Sequence, residues 1–207
     1  MAVVPFPRAR RGDAPAPAEP RAPETNENEI EAPNRLFVVA EPVLLPEDRA
    51  RLVNLRAQHH RAEADLIGPH FTLVFGVDPD ARDTLAAAVE RVAASVRPFW
   101  FVLQRLRVDA PPRAGRAWLY AEPHEGAEEL SALHEMLMES LPKVEGAPRF
   151  EPHLTLGMFG NGIDAERVAQ IAERQSVPMH GRIDSLRLIE TDKRSLSEIA
   201  VHRFSKD

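Results

Sequence analysis

Pro69-His70-Phe71-Thr72-Leu73 and Pro152-His153-Leu154-Thr155-Leu156 are two copies of one short pattern, 83 residues apart. In each copy a histidine and a threonine stand two residues apart in a run of strand-forming residues. Side chains alternate faces along a strand, so His70, Thr72 and Val74 are expected on one face and Phe71, Leu73 and Phe75 on the other. The second copy repeats this, with His153 and Thr155 set against Leu154, Leu156 and Met158. The apolar face can pack under a helix, which leaves an imidazole and a hydroxyl projecting together, about 6–7 Å apart at their Cα atoms. Such a pair can grip a phosphate. Two facing pairs would set two imidazoles around one phosphorus atom.

The surroundings repeat as well, since Leu36 aligns with Leu119 at the same offset. Leu36 to Ala40 reads as a strand and Pro46 to Gln58 as a helix, with His59, His60 and Arg61 in a polar connection to the first motif. Gly76 and Pro79 end that motif strand. A helix from Ala81 to Val96 follows, with Leu85, Ala88, Val89 and Val92 at helical spacing, then a strand from Phe99 to Val108. Past the turn at Pro111–Gly115 the order returns. A strand at Ala117–Ala121 leads to a helix from Gly126 to Leu141, with Leu130, Leu133, Leu137 and Leu141 forming a core stripe. The second motif strand comes next, closed by Gly157 and Gly160. A helix from Asp164, as N-cap, to Arg174 and strands at Arg182–Glu190 and Glu198–Phe204 complete the chain. This self-similarity predicts an α+β domain over residues 34–207 with two pseudo-symmetric lobes, about 34–110 and 111–207. Each lobe is expected to be a mainly antiparallel sheet with helices on its outer face, and the active-site cleft to lie between them. Residues 1–33 hold seven of the 19 prolines among alanine, glutamate and asparagine, and read as a disordered tail.

Composition narrows the chemistry. The 207 residues include no cysteine, so disulfides, thiolate metal sites and thiol nucleophiles are excluded. A formal net charge of −6 argues against a broad footprint on long duplex nucleic acid, but leaves room for a small phosphorylated ligand held by a few local groups. No apolar run approaches the length of a membrane span, and the N-terminus lacks the apolar core of a signal peptide, so a cytoplasmic protein is expected; separately, a monomer is expected. There is no glycine-rich phosphate loop of Walker type. His59 and His60 are adjacent but lack a ligand pattern around them, and are expected to be solvated loop residues. His124, His134, His180 and His202 are expected to be structural, and no metal or cofactor is expected.

Two His-x-Thr-Leu motifs at this spacing, each after a proline, resemble the 2H phosphoesterase superfamily. Asn34-Arg35-Leu36-Phe37-Val38-Val39 and Phe150-Glu151-Pro152-His153-Leu154-Thr155-Leu156 resemble its bacterial branch named for 2′-5′ RNA ligase activity. The resemblance covers about residues 34–207. It implies metal-independent hydrolysis of 2′,3′-cyclic phosphate ends of RNA or of small nucleotide cyclic phosphates; some relatives also run the chemistry in reverse, as 2′,5′ ligation. It further implies that His70 and His153 are the acid–base pair and that Thr72 and Thr155 bind phosphate. The chemistry suits the residues, since two imidazoles flanking phosphorus can both remove and deliver protons near neutral pH.

In one respect the chain departs from relatives with a basic residue just after the motif: Val74 and Phe75 stand there in one copy, Leu156 and Gly157 in the other. Compensating charge is then expected from Arg149, Arg113 or Arg116, or from a protonated histidine. Phe37 and Trp118 are candidates to stack on a base, although each also suits a strand core. Two other readings stay open. One is a phosphodiesterase acting on an ADP-ribose cyclic phosphate or a 2′,5′-oligoadenylate. The other is a non-catalytic RNA or nucleotide binder that uses the same pairs as phosphate ligands.

Overall fold

The computed structural model describes residues 34–142, 149–176, 178–192 and 194–205. The tail expected over 1–33 lies outside the described residues. β1 (Arg35–Ala40), β2 (Val43–Leu44), α1 (Pro46–His59) and the short α2 (Arg61–Ala64) lead to the first motif strand, β3 (Phe71–Val77). α3 (Arg82–Ser95), β4 (Phe99–Asp109), β5 (Ala117–Glu125) and α4 (Ala127–Met138) lead to the second, β6 (Leu154–Phe159). α5 (Gly162–Ser176), β7 (Met179–Ile183), β8 (Ser185–Thr191) and β9 (Leu196–Arg203) follow. All pairings are antiparallel, in one sheet of order β2-β7-β4-β5-β6-β3-β1-β8-β9. The fold is α+β, and the two motif strands meet at its centre. None of the described helices is long and apolar enough to cross a membrane.

The expected helix faces form the core. Leu85, Ala88, Val89 and Val92 of α3 and Leu130, Leu133 and Leu137 of α4 are buried with Phe71, Leu73 and Leu36 in one cluster. Pro46 starts α1 at the position where its missing N–H costs nothing. The cap of α5 is a correction. Asn161 Oδ1 accepts from the Asp164 backbone N–H at 2.9 Å, so Asn161 caps the helix and Asp164 sits in its first turn.

Strict alternation fails at the same point in both motif strands. Phe71, Leu73 and then Val74 are buried, as are Leu154, Leu156 and then Gly157. Phe75 and Met158, expected in the apolar set, are exposed. The cause is a pair of bulges: register shifts lie between Val38 and Val39 in the β1–β3 ladder and between Leu119 and Tyr120 in the β5–β6 ladder.

The expected division near residue 110 is not a division of the sheet. β4 pairs with β5 and β7, strands of the second half of the chain, whereas β8 pairs with β1 of the first. The helices cross in the same way, α1 packing on β6 and α4 on β3. The single strand expected over Arg182–Glu190 is two, β7 and β8, separated by Asp184 alone yet second and eighth in the sheet order. One residue spans only about 3.6 Å, so the sheet must curl until these two places abut. Asp184 ties the corner together. Its carboxylate accepts from Arg182 at 2.9 Å, and its carbonyl accepts from the Phe204 N–H at 2.8 Å.

Candidate active site

β3 and β6 are joined by the pairing of Phe71 with Leu154. Extending that register by one residue sets His70 across from Thr155 and Thr72 across from His153. The two motifs are interleaved, and each histidine stands opposite the other copy's threonine. Neither threonine hydroxyl has a hydrogen-bond partner among the described residues, so both remain available to a ligand.

Both imidazoles are anchored in the same way. His70 Nδ1 lies 2.8 Å from the Gly68 carbonyl oxygen, and His153 Nδ1 lies 2.7 Å from that of Glu151. A carbonyl oxygen can only accept, so each Nδ1 carries a proton and donates it to the residue two positions upstream. The neutral ring then keeps its lone pair on Nε2, ready to take a proton. Burial holds both imidazoles below the ordinary histidine value, against the upward pull of the two carbonyls; Arg56 adds to the lowering at His70, as Arg107 does at His153.

The environments of the two rings differ. Glu63 of α2 places Oε2 2.9 Å from His60 Nε2 and Oε1 3.8 Å from His70 Nε2. Behind them Arg56 of α1 is 2% exposed and donates through Nη1 to the Ile67 carbonyl at 2.9 Å. Its Nε and Nη2, and His60 Nδ1, are buried with no partner among the described residues. His60 is therefore a half-buried member of this network, contrary to the solvated role expected for it. His59 instead packs on the Phe159 ring at 5.1 Å.

Around His153 the neighbours are an aromatic ring and an arginine. The Tyr120 ring lies 4.2 Å from the imidazole, and the Arg107 guanidinium stands 5.2 Å from the centre of the Tyr120 ring. Arg107 is paired with Glu122 and, at 3.3 Å, with Glu151. The alternation of β5 puts Trp118, Tyr120 and Glu122 on one face, with Tyr120 opposite Thr155. Trp118 thus shares the site face, while Phe37 is absorbed in a small apolar cluster with Val39, Ile67, Ile189 and Leu196. Arg149 is exposed and lines a cavity of about 710 Å³ beside the second motif, with Arg105, Arg107, Phe150, Glu151 and Pro152. Arg113 lies exposed in the β4–β5 turn, and Arg116 reaches toward Met158. The cation that acts on the second histidine is Arg107, which the sequence reading missed.

Tyr120 was within reach of that reading, because the 83-residue offset maps Phe37 onto it. His134 is structural as expected: its Nδ1 donates to the Leu73 carbonyl at 2.7 Å, and its ring stacks on Phe150. Among the described residues no group of three or more histidine, cysteine or carboxylate side chains is arranged to hold a metal.

Gly157 explains why no basic residue follows the second motif. A Cβ there would fall 2.7 Å from the Phe159 ring and 2.9 Å from His59 Cβ, where α1 rests on β6. Gly157→Ala is expected to cost about 1–3 kcal/mol by overpacking. Denaturant unfolding would measure it, and a change under 0.5 kcal/mol would contradict the close approach.

The family model for the 2′-5′ RNA ligase superfamily matches residues 44–195. No curated protein matches the chain. Among solved structures, E. coli LigT complexed with NADP+ has a TM-score of 0.54 and 20% identity, covering 84% of this chain and 99% of that one. E. coli LigT complexed with 3′-AMP gives 0.53 and 20%, with coverage of 84% and 99%. Usb1 of Kluyveromyces marxianus gives 0.52 and 10%, with coverage of 82% and 98%. At these identities the likeness is one of fold.

Proposed function

This chain belongs to the 2′-5′ RNA ligase superfamily, and on that premise we propose that it is a phosphodiesterase that opens 2′,3′-cyclic phosphate ends of RNA or nucleotides by metal-independent, two-histidine acid–base catalysis. One Nε2 takes a proton from the attacking water as the new P–O bond forms. The other gives a proton to the ribose oxygen as its bond to phosphorus breaks. In-line displacement puts these events on opposite sides of phosphorus, which suits two imidazoles brought from two strands. Thr72 and Thr155 donate to the non-bridging oxygens, and Arg107 supplies positive charge beside His153. With a ribose hydroxyl in place of water, the same site run backwards joins ends through a 2′,5′ bond.

The observation that carries this reading is the shared Nδ1 anchor. A site that only gripped phosphate would not require both rings to be held in the same tautomer with Nε2 unprotonated. The bound ligands of E. coli LigT, 3′-AMP and NADP+, support a nucleotide as the substrate class.

The test is product formation from a nucleoside 2′,3′-cyclic phosphate in excess EDTA. Undiminished turnover is expected, with a nucleoside monophosphate as product. Turnover abolished by EDTA and restored by a divalent metal would rule out the metal-independent mechanism. A folded protein that binds the cyclic phosphate without converting it would favour the binding-protein reading.

A further inference from the structure

The motif histidines share an anchor at Nδ1 and differ at Nε2. At His70 a carboxylate oxygen, Glu63 Oε1, stands 3.8 Å away. At His153 the neighbouring carboxylates, Glu122 and Glu151, are engaged by Arg107 instead. We propose that Glu63 is a positioning residue for His70, its carboxylate held by His60 beside buried Arg56 so that it favours the protonated ring, whereas among the described residues no carboxylate is ion-paired to His153. This rests on the two-histidine reading above.

The geometry separates the two jobs of the carboxylate. Oε2 accepts the His60 Nε2–H at 2.9 Å, which fixes the group in place. Oε1 is then directed at His70 at a distance too long for a hydrogen bond but well within range of a charge interaction. The contact therefore acts mainly when His70 carries its second proton. Burial works against an ionised Glu63, but the His60 hydrogen bond and the charges of His60, His70 and Arg56 outweigh it and hold the carboxyl below its usual value. Arg56 cannot leave this arrangement, being 2% exposed and fastened to the Ile67 carbonyl.

The groups facing His70 are Arg56 from α1, His60 at the α1–α2 junction and Glu63 from α2, with Thr155 and His153 at the nearest register positions of β6. Arg56 and His60 disfavour the imidazolium. Glu63 is the one acidic group among them, and it offsets part of what burial and Arg56 impose.

Glu63→Gln tests this, because the amide keeps an acceptor for His60 and removes the charge. In the full-length chain, NMR titration of the ring Cε1–H signals should show the His70 midpoint moving to lower pH while that of His153 stays. On a cyclic phosphate substrate, one limb of the kcat/KM pH profile should move to lower pH and the other stay fixed. The accompanying loss should fall short of the roughly 10²–10⁴-fold contributed by a group that transfers the proton itself. Glu63→Asp, which keeps the charge, should return the His70 midpoint toward wild type. An unmoved His70 midpoint, equal movement of both histidines, or an aspartate variant indistinguishable from Glu63→Gln would overturn the proposal. The titration needs no substrate, so a wild-type protein without turnover would count against the phosphodiesterase reading alone.

Discussion

Replacing His70 or His153 by alanine is expected to lower kcat/KM on a 2′,3′-cyclic phosphate by at least about 10²–10⁴-fold, the usual worth of one positioned proton transfer. Both variants should remain folded. Each ring is held by one backbone carbonyl, and both histidines are only partly buried. The double variant should lose little more than either single one, because the two groups act in one step and their removal is not additive. The pH dependence follows from burial. Both imidazoles lie below the ordinary value of about 6.5, so both are neutral at pH 7 and a proton must be supplied before one can act as acid. The profile of kcat/KM, which reports the free protein, is therefore expected to peak on the acid side of that value. Circular dichroism with steady-state rates from pH 4.5 to 8.5 would check both points. A folded single variant with near-wild-type turnover would end the two-histidine account.

Phe71→Ala is expected to give the largest loss of stability, about 3–5 kcal/mol. Phe71 has no exposed surface and packs edge-on against Phe101, with ring centres 5.2 Å apart. It also carries the one register pair between the two motif strands, which sets His70 against Thr155. Its loss should lower turnover even where the protein is fully folded. Leu85→Ala is the control, since Leu85 is equally buried but lies on α3, away from the motifs. It should cost about 2–5 kcal/mol with little change in kcat at a temperature where both variants are native. Equal kcat for the two would show that the Phe71–Leu154 pairing does not set the geometry of the site.

The local layer of this fold was legible in sequence because it depends on periodicity. The helix faces of α3 and α4 follow from spacing, and the His-Thr pairs from their repetition. The bulges that bury Val74 and Gly157 and expose Phe75 and Met158 were not legible, because a register shift is a property of two strands and not of one. The break at Asp184 left a signal in the alternation, which changes phase from Met179, Gly181 and Ile183 before it to Leu186 and Leu188 after it, but one strand expected over Arg182–Glu190 passed over that change. At the candidate site, the two histidines and two threonines that the β3–β6 register brings together were named from sequence. Arg56, Glu63 and Arg107 were not, since each gains its role from an approach between elements distant in the chain. A charged residue on a helix reads as solvated, and only packing shows that Arg56 is enclosed.

The exchange of β4 and β8 between the two halves of the sheet, with α1 and α4 crossing as well, has a consequence for the descent of this chain. Two copies of a strand–helix–strand–helix–strand unit that each lent a strand and a helix to the other would form a swapped homodimer. Joining them through the β4–β5 hairpin yields the present topology. The pairing of the two motif strands through Phe71 and Leu154 then falls where the two copies of such a dimer would meet. In that scheme His70 and His153 occupy equivalent places in the two copies, and their surroundings differ, Glu63 standing beside one and Tyr120 beside the other.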